Sequence, residues 1–171
     1  MHRQLSRTLT LFERHARGRR TALDIRIIVN TDEMWVGVRL VDAEWLDVTM
    51  LDSALAGVHA YGSRLRRVVF QRCKIDTLNL RRATLIDVEF DGCDLTELDC
   101  AGASLTNVTF AGSAIRRARF TGARLKGVDF RGARVLDIAD GADSLRGATV
   151  DGQQLIELAP ALAAALGIEV T

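Results

Sequence analysis

Apolar side chains return at every fifth residue along most of this chain. From Trp35 the series runs Trp35, Leu40, Trp45, Met50, Leu55, Ala60, Leu65, Phe70 and onward to Val150, and 23 of its 24 positions are apolar. The single exception is Asp140. Two residues before each central position stands a second small or apolar side chain, such as Val58, Ser63, Val68 and Cys73, with Glu33 and Asp143 as the departures. The residues in between are mostly polar: Arg64, Lys74, Asp94, Ser104, Arg124 and Asp129. In–out–in alternation of this kind buries one face of a short extended segment. A period of five fits neither 3.6 nor 3.5, so the pattern predicts short strands rather than helix.

Glycine marks the ends of the units. Eleven of the fourteen glycines fall two residues after a central position, where a turn every five residues needs backbone that glycine adopts cheaply. A longer period closes the figure. Phe70, Phe90, Phe110 and Phe130 recur at twenty residues, and so do Leu65, Leu85, Leu105 and Leu125. Four units per coil would stack each set into a column at the inter-strand spacing of about 4.8 Å. The smaller inward positions alternate as well, with Val48, Val58, Val68 and Val88 bulky against Ala43, Ser53, Ser63 and Cys73. Adjacent sides of a four-sided coil would then alternate large with small, which fills a narrow interior.

The units Ala123-Arg-Leu-Lys-Gly127, Val128-Asp-Phe-Arg-Gly132, Ala118-Arg-Phe-Thr-Gly122 and Ala148-Thr-Val-Asp-Gly152 resemble the motif of the pentapeptide-repeat family. The resemblance covers residues 33–152 and implies an all-β solenoid, a right-handed quadrilateral β-helix of about six coils. Short helical additions are expected at both ends. Residues 1–32 read as an amphipathic helix (Leu5, Leu9, Phe12, Ala16) followed by an extended lead-in over 21–32. Residues 153–171 read as a helical segment with Asp151 as N-cap, a kink or second helix at Pro160 and an end at Gly167. Its apolar residues Leu155, Ile156, Leu158, Leu162 and Leu166 either cap the last coil or join two rods into a homodimer. Asp140 and Asp143 fall where the register expects buried side chains. A loop bulging at 138–144 is therefore expected, and it is a candidate partner contact.

Charge changes the picture more than composition does. The net charge of +1 conceals blocks: six acids with Arg39 over 32–52, seven bases with Asp76 over 64–82, six acids and no base over 87–99, and seven bases with Asp129 over 116–134. With twenty residues per coil these blocks become successive belts of opposite sign. No apolar run reaches the ~20 residues of a membrane span, so no membrane role is expected. No export signal is evident, and three cysteines suit free thiols, so a cytoplasmic location is expected.

His2, His15 and His59 occupy no metal-ligating or catalytic spacing, and no phosphate-binding loop or nucleophile elbow occurs. No enzyme activity, cofactor or metal is expected. Cys73 and Cys93 are placed as stacked inward neighbours, read as small core groups rather than a disulfide. The functional expectation is a non-catalytic scaffold binding a protein partner. The resemblance also implies an alternative, a modulator or protector of DNA gyrase, a type II topoisomerase, giving fluoroquinolone or topoisomerase-poison resistance by DNA mimicry. That role needs an extended negative face, which belts of alternating sign do not supply. Direct binding to nucleic acid is not expected.

Overall fold

The computed structural model describes residues 12–13, 23–32 and 34–169, with side chains from residue 32 onward. In chain order the strands begin with β1 (Phe12–Glu13), β2 (Leu23–Thr31), β3 (Met34–Val36), β4 (Glu44–Leu51), β5 (Ala54–Ala56) and β6 (Val58–His59). The central strands are β7 (Arg64–Gln71), β8 (Lys74–Asn79), β9 (Thr84–Asp91), β10 (Asp94–Asp99), β11 (Ser104–Thr109) and β12 (Ala114–Arg119). There follow β13 (Arg124–Lys126), β14 (Val128–Asp129), β15 (Val135–Asp140), β16 (Ala148–Thr149) and one helix, α1 (Gly152–Ala165).

These strands form a parallel solenoid with a repeat of twenty residues. Leu65 pairs with Trp45 and Leu85, Leu85 with Leu105, and Leu105 with Leu125. Two sheets share the coil. One runs through β2, β4, β7, β9, β11, β14 and β16, the other through β3, β5, β8, β10, β12 and β15. Each long strand bends over a corner, so two sheets make four sides. At Arg67, for example, φ is 51° in the middle of β7.

The inward columns are as the spacing predicts. Phe70, Phe90, Phe110 and Phe130 stack with ring centroids 4.9, 5.1 and 5.0 Å apart, nearly parallel. All four are fully buried. Below them the two tryptophans fill the first turns, Trp35 against Trp45 at 5.8 Å and Trp45 against Phe70 at 6.3 Å. The inward serines have a separate task. The hydroxyl of Ser113 donates to Phe90 O (2.9 Å) and accepts from Cys93 N–H (2.9 Å), both in the preceding coil. Ser63 does the same for Leu40 O and Ala43 N–H. Each hydroxyl thus bridges a turn of the coil before it. Among the described residues, Trp45 Nε1 is the one buried side-chain polar atom lacking a hydrogen-bond partner.

Four boundaries differ from the sequence expectation. Ile25 pairs with Trp45 and Ile28 with Val48, so the lead-in is already part of the first coil and the solenoid starts near residue 23. Phe12 and Glu13, placed in a helix by their spacing, instead form a strand antiparallel to β2. An open parallel edge offers unpaired backbone groups, which a strand satisfies and a helix does not. Leu5, Leu9 and Ala16 lie outside the described residues.

Near the other end the register slips by one residue. Ile115 pairs with Leu136, not Val135, while Ala118 keeps the twenty-residue register with Ile138 before Arg119 slips again to Asp140. Leu136 and Ile138 therefore point inward, while Asp140 is exposed. Gly141 (φ 81°) then opens a 3-10 turn over Ala142–Leu145, which leaves Asp143 exposed too. Register returns at Ala148, opposite Val128. Finally, α1 runs through Pro160 as one helix. It ends at Gly167 (φ 69°), where Ile168 N–H reaches Ala163 O and Gly167 N–H reaches Ala164 O. This is the double-bonded glycine stop.

Candidate functional site: the outer faces and the capped end

Side chains fill the interior of the coil, so any site has to be sought outside. Cys73, Cys93 and Cys100 are free thiols buried in the core. Cys73 and Cys93 donate to the carbonyls of Met50 (3.4 Å) and Phe70 (3.2 Å). The hydrogen bond shared by the pair pushes the Cys93 thiol up, with burial adding to it, and brings Cys73 down to about 7, while burial pushes Cys100 up. All three are enclosed in the core, where they act as packing groups. Among the described residues no cluster of three or more His, Cys, Asp or Glu could hold a metal ion.

The C-terminal end carries the first outward feature. Asp151 accepts from Gln154 N–H (2.9 Å) while the Gln154 side chain accepts from Asp151 N–H (3.0 Å), a reciprocal capping box. Gln154 also donates to Phe130 O at 2.7 Å, closing a carbonyl of the last coil. Leu158 is 3% exposed and Leu162 partly buried against the core, so one face of α1 covers the solenoid end. Part of the helix's apolar surface stays open. Leu155, Ile156 and Leu166 are 52, 69 and 71% exposed. Of the five apolar residues singled out from sequence, two cap and three stay exposed, Leu155 and Leu166 at the rim of the helix–coil junction. A cleft of about 320 Å³ lies between helix and coil, lined by Leu145, Val150, Leu155, Leu158, Leu162 and Leu166 among others.

A second cleft, of about 670 Å³, lies on the outside of the rod. The small residues Ala101 and Gly102 line it together with Tyr61, Arg81, Arg82 and Arg119. Asp140 lines it as well, accepting from Thr121 Oγ1 at 2.6 Å. Asp143 is not among the lining residues. No sequence motif announces this cleft. Its one signal is the short pair Ala101 and Gly102, set one coil after Arg81 and Arg82, legible only once the twenty-residue register is imposed.

The charge belts pair across coils as opposite signs should. Asp47 takes a two-pronged hydrogen bond from Arg67, with Nη2 at 2.9 Å, and Asp52 takes one from Arg72 at 2.7 Å. That bond holds the Asp52 carboxyl below the usual carboxylate range and raises Arg72. Arg117–Glu97, Arg116–Asp94, Arg134–Asp94 and Arg81–Asp99 complete the links between coils. They lie at the surface, so each adds little to stability on its own. Their distribution matters more. None involves Arg64, Arg66, Arg82, Arg119, Arg124 or Lys126.

Residues 43–120 match the family model described as a pentapeptide repeat region. Among solved structures, QnrB1, a plasmid-mediated fluoroquinolone resistance protein, is 14% identical in a trypsin-treated form, covering 84% of this chain and 100% of that one, at a TM-score of 0.29. Its full-length form is also 14% identical, over 78% of this chain and 99% of that one, at 0.28. HetL from the cyanobacterium Nostoc sp. strain PCC 7120, a pentapeptide repeat protein involved in heterocyst differentiation regulation, is 13% identical, over 71% and 92%, at 0.18. Scores this low carry no argument about function. No curated protein matches the chain.

Proposed function

The chain is a pentapeptide-repeat protein, and we propose that it serves as a non-catalytic interaction scaffold, presenting a rigid rod and one helical end to a protein partner. One observation supports this above the others. The inward positions are taken up by packing, whereas apolar side chains of the terminal helix (Leu155, Ile156, Leu166) and arginines with no ion pair among the described residues stand exposed on the outside. Surface apolar groups clustered on one element are a docking signal. The same open face of α1 is suited to a second copy of the chain, since a two-fold pair of helices would bury it on both sides.

The alternative, modulation of DNA gyrase through DNA mimicry, asks for a continuous negative face. The acids here are concentrated in the coils that hold 42–52 and 87–99, and many of them are neutralised by arginines of neighbouring coils. That ranks the alternative second.

Affinity capture from a native extract tests the scaffold reading. The intact chain is compared with two folded variants, Tyr61→Ala/Arg119→Glu in the long cleft and Leu155→Glu/Ile156→Glu on the helix. A protein held by the intact chain and lost by one variant is expected. A catch indifferent to both variants contradicts the reading. A supercoiling assay with and without a fluoroquinolone addresses the alternative, and an unchanged gyrase rate at micromolar protein removes it.

A further inference from the structure

The belt description drawn from sequence treats each coil as uniformly charged, but the faces are not alike. On the side formed by the first halves of β7, β9 and β11 together with β13, two outward columns can be followed through the register. One is Arg64, Thr84, Ser104 and Arg124. The other is Arg66, Ile86, Thr106 and Lys126. The acidic block 87–99 puts no carboxylate in either column, because hydroxyl residues and Ile86 occupy the middle rungs. Its acids stand on the other three sides and the corners, where they meet Arg72, Arg81, Arg116, Arg117 and Arg134. Arg64, Arg66, Arg124 and Lys126 are exposed and have no ion-pair or side-chain hydrogen-bond partner among the described residues, and neither does Arg82 on the adjoining corner.

Two cationic rungs therefore stand three coils apart, about 14 Å at the inter-strand spacing, with a neutral floor of hydroxyls between them. Glu44 is the rung beneath Arg64, but no carboxylate adjoins Arg66, Arg124 or Lys126 along the two columns, and these like charges mark a face shaped for an anion. Guanidinium groups joined by serine and threonine hydroxyls are the groups that contact phosphate oxygens. The columns carry no aromatic side chain on which an unpaired base could stack, which disfavours single strands. They carry one apolar side chain, Ile86 at 36% exposure, too little for the core of a protein interface.

We propose that this face, with Arg64, Arg66, Arg124 and Lys126 as its contacts and Arg82 at its edge, docks on the phosphate backbone of duplex nucleic acid. The proposal rests on the scaffold reading and adds one kind of partner to it. Recognition is of backbone charge and shape, without base readout. It is the reverse of DNA mimicry: the rod would bind the duplex rather than replace it.

The test is fluorescence anisotropy with a labelled DNA duplex of about two helical turns. With four phosphate contacts, affinity should fall roughly a hundredfold between about 50 and 200 mM salt. Arg64→Gln/Arg124→Gln should weaken binding about tenfold or more and lower the salt slope by about two. Arg116→Gln/Arg134→Gln, which removes equal charge from the opposite side, should change affinity less than about twofold, as expected for side chains that make no phosphate contact. Circular dichroism checks that both variants are folded. Absence of binding at the lowest salt overturns the proposal. So does an equal loss in both variants, tighter binding to the matching single strand, or binding of polyglutamate in place of the duplex. Failure here, with partner capture intact, leaves the scaffold reading standing.

Discussion

At the scale of single residues, the hydroxyls inside the coil show how narrow the tolerance is. Ser113 is fully buried and serves Phe90 O and Cys93 N–H at once. Ser113→Ala would leave both backbone groups without that partner and should cost about 1–3 kcal/mol in a denaturant titration. A loss within the noise would mean the turn closes by another route. The corners hold the opposite kind of compromise. Ten of the described residues other than glycine take positive φ, among them Arg82 at 55°. Arg82→Gly should raise stability by about 0.5–1 kcal/mol, read as an increased midpoint in the same titration. An unchanged or lower midpoint would show that Arg82 has a stabilising role not seen in its contacts. The corner positions were visible in the sequence through their glycines. That Asp, Arg and Asn share those corners was not, because nothing in a lone Arg82 or Asp87 announces positive φ.

At the scale of elements, the twenty-residue columns were fully legible, since phenylalanine at 70, 90, 110 and 130 has no simpler explanation. The slip at β15 was half legible. Asp140 and Asp143 flagged an irregularity, but Val135 keeps the apolar register on paper, so the displacement to Leu136 was hidden. Bulk decides there: Leu136 fills the space beside Ile115 and leaves Val135 at the edge. The helix α1 divides its apolar residues between two duties, and its amphipathic pattern alone could not apportion them. Packing assigns Leu158 and Leu162 to the cap. The outer face, through Ile156 and Leu166, is expected to make the chain dimeric, and Ile156→Glu should return the light-scattering mass to that of a monomer. A wild-type mass already monomeric at high protein concentration would reject the dimer while leaving the cap untouched.

At the scale of the whole molecule, charge was legible in amount and misleading in arrangement. Blocks of one sign along the sequence did become neighbouring coils, and the ion pairs between Asp47 and Arg67 or Asp52 and Arg72 follow from that. What the blocks concealed is that a coil has four sides, and the acids of 87–99 avoid one of them. Acid should loosen the paired sides. The Asp52 carboxyl is held below its ordinary range by Arg72, so its contribution is present above the unfolded carboxylate pKa and is lost as pH falls through the lowered one.

All of these readings depend on the rod being a single rigid body, because a scaffold whose coils open separately would not hold its faces in register. Native-state hydrogen exchange read by mass spectrometry tests that most directly. Coils over residues 63–122 are bonded on both sides by neighbouring coils through continuous ladders. Their amides are expected to exchange together, at the free energy of global unfolding, with faster exchange confined to the ends. Independent, low-energy opening of any one of those coils would contradict the account.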